Sequence, residues 1–341
     1  MNVQPAVERD AVAAPRFVQP HAMRQTVKLG RSSWLTLFLL KQRLKLGAHL
    51  MKAPPLCGSS RELQPPFFII GSGRSGTTVL RSMLVAGGEV AVPPESFVLP
   101  EVIALYKVYG FLPWEQVVKL VIGSFEAHPL YASDWGIDLA PVHREAAALA
   151  PARRNLATII DLIYRHFMRE KEGKELRWGD KTPYNAVALP EILEVFPNAQ
   201  FLHILRDGRD CVSSGLDARI RRDIESAASR WLRDVAACRA FGEALDSARF
   251  LEIRYENLVH EPEATLATVC RFLGIRYQEE MLGFYRIASQ LGDGYHPHHR
   301  NLHNPLSNSS VGKWRERLTP AQQDRVRDIL GSTLKQLGYC D

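Results

Sequence analysis

The chain has 341 residues, 46% apolar and 23% charged, with a formal net charge of +6. Such a chain can bury a full core and is not a disordered one, while its length admits one large or two medium domains. The modest basic excess favours an acidic ligand or surface, but no zinc knuckle and no aromatic–basic RNA-binding motif accompanies it, so nucleic acid is set aside as a partner.

Five cysteines, at 57, 211, 238, 270 and 340, are scattered without CxxC spacing. They fit a reducing cytoplasm better than a disulfide or metal framework. Residues 1–30 mix charges and carry Pro5, Pro15 and Pro20, the composition of a flexible end. The first apolar run, 34–40, follows Glu8, Arg9 and Asp10, so no signal peptide is evident, and it is too short to cross a bilayer. Arg31, Lys41, Arg43, Lys45 and Lys52 make its surroundings basic and amphipathic. Packing on the globular domain is the favoured reading; peripheral membrane contact through residues 31–52 is the alternative. Residues 1–64 are thus expected to be an N-terminal extension and 65–341 a single domain.

Four apolar residues, Phe67–Ile70, suit a buried parallel strand. Gly71-Ser72-Gly73-Arg74-Ser75-Gly76 then turns the chain, and Thr77-Thr78 opens a helical pattern that stops at Gly87-Gly88. A strand, a glycine-rich turn and a helix N-terminus make an anion cradle, because backbone N–H groups and the helix dipole converge there. The spacing Gly71-x4-Gly76 approaches the Walker A pattern, yet Thr77 stands where that pattern has lysine, and Arg74 is the loop's one cation. The bland alternative is a glycine turn joining a core strand to a helix.

Residues 89–92 read as a second strand, closed by Pro93-Pro94, with Glu95 just beyond. If the two strands are parallel, Glu95 returns to the sheet edge that carries the glycine loop. A carboxylate beside an anion cradle makes sense as the general base for an acceptor hydroxyl. Residues 97–170 read mainly as helix, around Leu99–Tyr109, 114–125 and 156–167, with solvated surface at 144–154; this part is expected to build the acceptor pocket. Residues 177–184 read as a loop by their Gly and Pro, presenting Lys181 as a point charge, and lead into a helix near 188–196.

Gln200–Leu205 and Phe250–Arg254 are two further buried-strand candidates. The first ends in Arg206-Asp207-Gly208-Arg209-Asp210 and then Ser213-Ser214, cations and hydroxyls suited to another phosphate. The second is followed by Tyr255, placed to stack on or hydrogen-bond a base, and by a helix over Pro262–Leu273 that Gly274 ends. His296, His298, His299 and His303 fall in a Gly-, Pro- and Asn-rich stretch, without the partners that a metal site needs. Ser309-Ser310-Val311-Gly312-Lys313-Trp314-Arg315 suits a flap over an adenosine bisphosphate, before a terminal helix over 320–337.

In their order, these motifs resemble the sulfotransferases that use 3′-phosphoadenosine 5′-phosphosulfate (PAPS), over roughly residues 66–335. Arg74-Ser75-Gly76-Thr77-Thr78 matches the family's 5′-phosphosulfate loop, which the Gly73 turn introduces. Arg206-Asp207-Gly208-Arg209 with Ser214 matches its 3′-phosphate motif, Tyr255–Leu258 its Tyr-Glu-x-Leu segment, and Gly312–Arg315 its closing Gly-x-Trp-[Lys/Arg]. The pattern is similar to the bacterial enzymes that resemble tyrosylprotein sulfotransferases, where Glu95 takes the place of the base and Lys181-Thr182-Pro183 that of a Lys-Asp-Pro segment. Two departures stand out: Pro94-Glu95 replaces a Glu-Glu pair, and Phe97 replaces an acceptor-engaging arginine. Phe97 suits a lipid, small-molecule or sugar hydroxyl better than a peptide tyrosine.

The resemblance implies a P-loop-like three-layer α/β/α fold with a mainly parallel sheet and helical acceptor-site insertions. It implies a nucleotide-binding transferase with PAPS as co-substrate, no metal, and a hydroxyl-bearing acceptor that is lipid, small molecule, glycan or peptide. Glu95, Lys181 and Arg74 would be catalytic. Arg74 with Gly73, Ser75, Gly76, Thr77, Thr78, Arg206, Ser214, Tyr255, Ser310, Val311, Gly312, Lys313, Trp314 and Arg315 would hold the donor. The rivals are a P-loop kinase using ATP and Mg²⁺, with Asp207 on the metal, and a nucleotide-binding scaffold without turnover.

Overall fold

A computed structural model describes residues 53–58, 64–292 and 302–339. The N-terminal amphipathic segment and three of the four clustered histidines, His296, His298 and His299, lie outside the described residues.

Five strands form one parallel sheet: β1 (Phe67–Ile70), β2 (Val90–Ala91), β3 (Arg177–Asp180), β4 (Gln200–Leu205) and β5 (Phe250–Arg254), in the spatial order β2-β3-β1-β4-β5. Every pairing is parallel. Strand alternation divides the interior: Phe68 and Ile70 enter one apolar core with Phe201, while Phe67 and Ile69 enter the opposite one with Leu202 and Ile204. All four β1 side chains are buried, which is why β1 reads as an unbroken apolar run. The expected α/β, P-loop-like architecture is borne out.

Helix α1 (Thr77–Ala86) packs on the Phe67 face. On the other face lie α2 (Leu99–Tyr109), α3 (Trp114–Glu126), α4 (Ala140–Ala147), α5 (Leu156–Glu172) and α6 (Leu189–Val195). Helix α5 begins on Asn155, whose side chain accepts from Thr158 N, and ends at Gly173 with φ +65°. Helices α7 (Gly208–Asp217) and α8 (Ile224–Glu243) follow β4; α9 (Tyr255–His260) and α10 (Pro262–Leu273) follow β5. Helix α11 (Trp314–Arg317) and α12 (Pro320–Gln336) close a third core with Trp231 and Val212, and α12 starts on a Thr319–Gln322 capping box. Among the described residues no helix is long and apolar enough to cross a membrane.

Two strand expectations need correction. Residues 177–180 are not loop but β3, paired with β2 on one side and β1 on the other. Its four residues, one of them glycine and two of them charged, give no strand signal alone. Pairing on both edges decides it, and a Cβ on Gly179 would sit 2.4 Å from the Phe67 ring, so glycine lets that ring lie against the strand. The second strand is also shorter than 89–92, because only Val90 and Ala91 find partners in β3. The expected consequence holds: β1, β2 and β3 run parallel and end at one edge of the sheet.

The C-terminal segment is fastened to α7 by Asp210, whose buried carboxylate accepts from Gly312 N at 2.8 Å and Trp314 N at 2.9 Å. Burial raises the Asp210 pKa, against the backbone donors and Arg206, which lower it. In Asp210→Asn the amide turns a donor toward one of those N–H groups and leaves it unpaired. The expected cost is about 1–3 kcal/mol, read as a lower urea midpoint with an unchanged slope.

Candidate functional site

The loop after β1 is held in an uncommon shape. Ser75 N bonds Ser72 O at 3.1 Å, and both Arg74 (φ +74°) and Gly76 (φ +99°) are left-handed. At Gly76 the shape demands glycine, since a Cβ would lie 2.3 Å from the Tyr255 ring. At Arg74 a non-glycine residue bears the strain, and cross-links hold it there. Arg206 Nη1 donates to Arg74 O at 2.9 Å, and Arg74 Nε donates to Ser214 Oγ at 3.1 Å. Burial, and then the neighbouring Arg206, lowers the basicity of Arg74. Helix α1 therefore starts without a side-chain cap or an acidic residue in its first turn, so its leading N–H groups face the loop opening.

Two cavities meet at this loop. One, of about 420 Å³, is lined by Gly76, Arg206, Ser214, Ser310, Lys313 and Arg317 among others. Arg206 crosses its floor, with its guanidinium 4.3 Å from the centre of the Tyr255 ring and Nη2 donating to Ser310 O at 2.6 Å. Its Nε is buried without a hydrogen-bond partner. Tyr255 OH pairs with Ser310 Oγ at 2.7 Å, so the tyrosine braces Gly76, Arg206 and the C-terminal segment at once.

The other cavity, of about 360 Å³, has mainly apolar walls that include Phe97, Leu130, Tyr184 and Trp231. Phe97 also takes a left-handed backbone (φ +58°) and stacks on His128, with ring centres 5.2 Å apart. Arg74, Thr77 and Thr78 line both cavities.

Glu95 lines the apolar cavity and is linked through Lys181 to Thr78 at that junction. It lies just beyond β2, and Lys181, just beyond β3, donates to Glu95 Oε1 in a short contact and to Thr78 Oγ1 at 3.2 Å. Lys181 is 0% exposed and Glu95 17%. Behind them, Asp180 is buried and raised in pKa chiefly by desolvation. It accepts from Tyr164 OH at 2.5 Å, Ser96 Oγ at 3.2 Å and Asn185 Nδ2 at 2.6 Å, while Ser96 N bonds Thr182 Oγ1 at 3.1 Å. This network fixes the residues on either side of the Glu95–Lys181 pair.

The sequence-derived site therefore assembles in large part. Gly73 lines the apolar cavity, and Ser75 is buried inside the turn. Val311 packs into the apolar core behind α1. Gly312, at φ +70°, turns the chain and hands its N–H to Asp210. Trp314 and Arg315 do not line either cavity: the indole is buried between the Arg209 and Arg315 guanidiniums, each 4.5 Å from its centre. Asp207 caps α7 and places both carboxylate oxygens on the Arg209 side chain, the nearest contact being 2.9 Å. Sequence reasoning missed Asp180, Ser96 and Asp210. Asp180 is adjacent to Lys181 and Ser96 to Glu95, but nothing local shows that these two pairs pack together.

A family model described as the sulfotransferase family matches residues 65–279. Protein-tyrosine sulfotransferase 1 of Danio rerio is 25% identical over 290 residues, which span 81% of this chain and 72% of that protein. Protein-tyrosine sulfotransferase 2 of Gallus gallus is 27% identical across 68% of this chain, but only 57% of its own length is spanned. Among solved structures, the sulfotransferase domain of the Synechococcus PCC 7002 olefin synthase is alike in fold. Its TM-score is 0.54 at 20% identity, covering 80% of this chain and 98% of that domain. The family model extends over more than half of the chain, and the loop, the strand-end arginine and the closing segment it would need converge on one pair of cavities: the chain belongs to the sulfotransferase family.

Proposed function

We propose that the chain moves the sulfuryl group of PAPS to the hydroxyl of an acceptor held in the Phe97 cavity, with Glu95 as general base. The observation that carries this reading is the meeting of a basic cleft and an apolar chamber on Arg74, Thr77 and Thr78, with Glu95 and Lys181 at the seam. The donor cleft fits a nucleotide bisphosphate: Arg206 has a buried Nε without a partner, and Ser214, Lys313 and Arg317 surround it. When bound, PAPS supplies a sulfuryl group already joined to a phosphate leaving group.

The residues of the chain do the rest. Glu95 orients the acceptor hydroxyl and takes its proton onto a carboxylate oxygen. Lys181 ties Glu95 to Thr78 and so brings its positive charge to the loop where negative charge develops. Sulfuryl transfer resembles phosphoryl transfer, in which positioning and fixed charges supply most of the stabilisation. Arg74 and the uncapped N–H groups of α1 complete that field; Arg206 and Ser214 hold the far phosphate, and Lys313 closes over it.

The relatives are named for protein tyrosine. Here the apolar walls and Phe97 support a lipid, small-molecule or glycan hydroxyl instead, with the enzyme in the reducing cytoplasm that scattered cysteines suit. The kinase alternative is disfavoured because Asp207 commits its oxygens to Arg209 and the loop has no Walker lysine.

Adenosine 3′,5′-bisphosphate at 100-fold its Kd is expected to add about 2.7 kcal/mol of stability, seen as a raised Tm. ATP·Mg²⁺ is expected to add little, and Arg206→Ala to abolish the bisphosphate shift. A shift from ATP·Mg²⁺ alone would instead indicate the kinase. Glu95→Gln is expected to keep that shift while turnover falls by about 10²–10⁴-fold. Because the substitution removes the partner charge of buried Lys181, its Tm without ligand should also fall. Undiminished turnover would remove Glu95 from the role of base.

A further inference from the structure

The connection from α7 to α8 places Arg221 in the wall of the apolar chamber. Helix α7 ends as Arg219 turns left-handed (φ +55°), and Ile220 N and Arg221 N both bond Gly215 O at 3.1 Å. Gly215, Ile220 and Arg221 all line the chamber. A Cβ on Gly215 would lie 3.2 Å from Arg221 Cγ, so a side chain there would crowd the arginine stem. The guanidinium of Arg221 forms no hydrogen bond or ion pair among the described residues.

Its neighbours are paired only in part, since Asp234 Oδ1 is buried and accepts no hydrogen bond. Arg230 donates to Asp234 Oδ2 at 2.6 Å, and Arg233 approaches the other oxygen at 3.7 Å. Two arginines thus sit on this one buried carboxylate. Burial, followed by repulsion from Arg230, lowers the basicity of Arg221; Asp234 pulls the other way, and Arg233 adds a smaller repulsion. Elsewhere in the chamber, Glu95 is paired with Lys181, Arg74 bonds Ser214, and Asp134 accepts from Ser133 at 2.7 Å. Beside Arg221, Ile220 is 43% exposed, an apolar rim next to a charge.

We propose that the acceptor is a hydroxylated amphiphile bearing an acid group, its apolar body in the chamber and its oxyanion on Arg221. This rests on the proposed donor and acceptor assignment and adds the acceptor's chemical class. A planar guanidinium in a partly desolvated wall favours a carboxylate or similar oxyanion bound through two N–H groups. A neutral alcohol of the same length would leave that guanidinium without a hydrogen-bonded oxyanion.

The test is calorimetric titration in saturating adenosine 3′,5′-bisphosphate. The probes are ω-hydroxydodecanoic acid and dodecane-α,ω-diol, matched in length and differing in the acid. The wild type is expected to bind the acid about tenfold tighter than the diol, and turnover of the acid should release its sulfate ester. Arg221→Ala should equalise the two, Arg221→Lys should restore part of the preference, and Gly215→Ala should reduce it by displacing the stem. Equal binding in the wild type, a preference that survives Arg221→Ala, no binding of either probe, or tighter binding of an acidic tyrosine peptide would each overturn the inference. A missing bisphosphate shift marks failure of the donor reading; a normal shift without acid preference marks failure of this one alone.

Discussion

Arg206 carries two backbone carbonyls of this structure on one guanidinium. It donates to Arg74 O within the glycine-rich loop and to Ser310 O in the C-terminal segment, while lying against the Tyr255 ring. The loop needs that hold, because a non-glycine residue in the left-handed region costs roughly 1–2 kcal/mol and Arg74 is such a residue. The strain brings the loop's backbone N–H groups to the cleft, and Arg206 offsets it from a different strand. Its remaining buried nitrogen, Nε, has no hydrogen-bond partner.

A second constraint works at the other end of the loop. Lys181 is fully buried and touches both Glu95 and Thr78. A buried ammonium is stable only with a counter-charge and further acceptors, so Glu95 is fixed by an electrostatic need as well as by any catalytic one. Asp180 and its donors Tyr164, Ser96 and Asn185 hold the strand ends from which Glu95 and Lys181 emerge. Glu95, Lys181 and the loop are therefore one bonded unit. Its apolar side is the chamber lined by Phe97, whose ring stacks on His128.

Much of this was legible in the chain. The apolar runs of β1 and β4 bury both faces, so their composition alone marks them as interior parallel strands. The glycine-rich turn, the strand-end arginine and the serine eight residues later carry their chemistry in local spacing. β3 was not legible. It is four residues with a glycine in the middle, and it is a strand because β1 and β2 flank it. The placement of Trp314 was not legible for a similar reason: local sequence cannot tell whether an indole faces a cleft or a core, and here Arg209 and Leu318 pack with it.

By itself the sequence determined the class of fold, the glycine-rich turn between β1 and α1 and the identity of the groups that bear charge, because these depend on residue type and near spacing. Only the tertiary structure decided which charges are partnered. It pairs Glu95 with Lys181 across β2 and β3, ties Asp210 to the C-terminal segment about a hundred residues on, and leaves Arg221 facing an apolar chamber. Such pairings follow from the order in which parallel strands lie beside one another, and that order is set by packing both faces of the sheet rather than by any residue's neighbours in the chain.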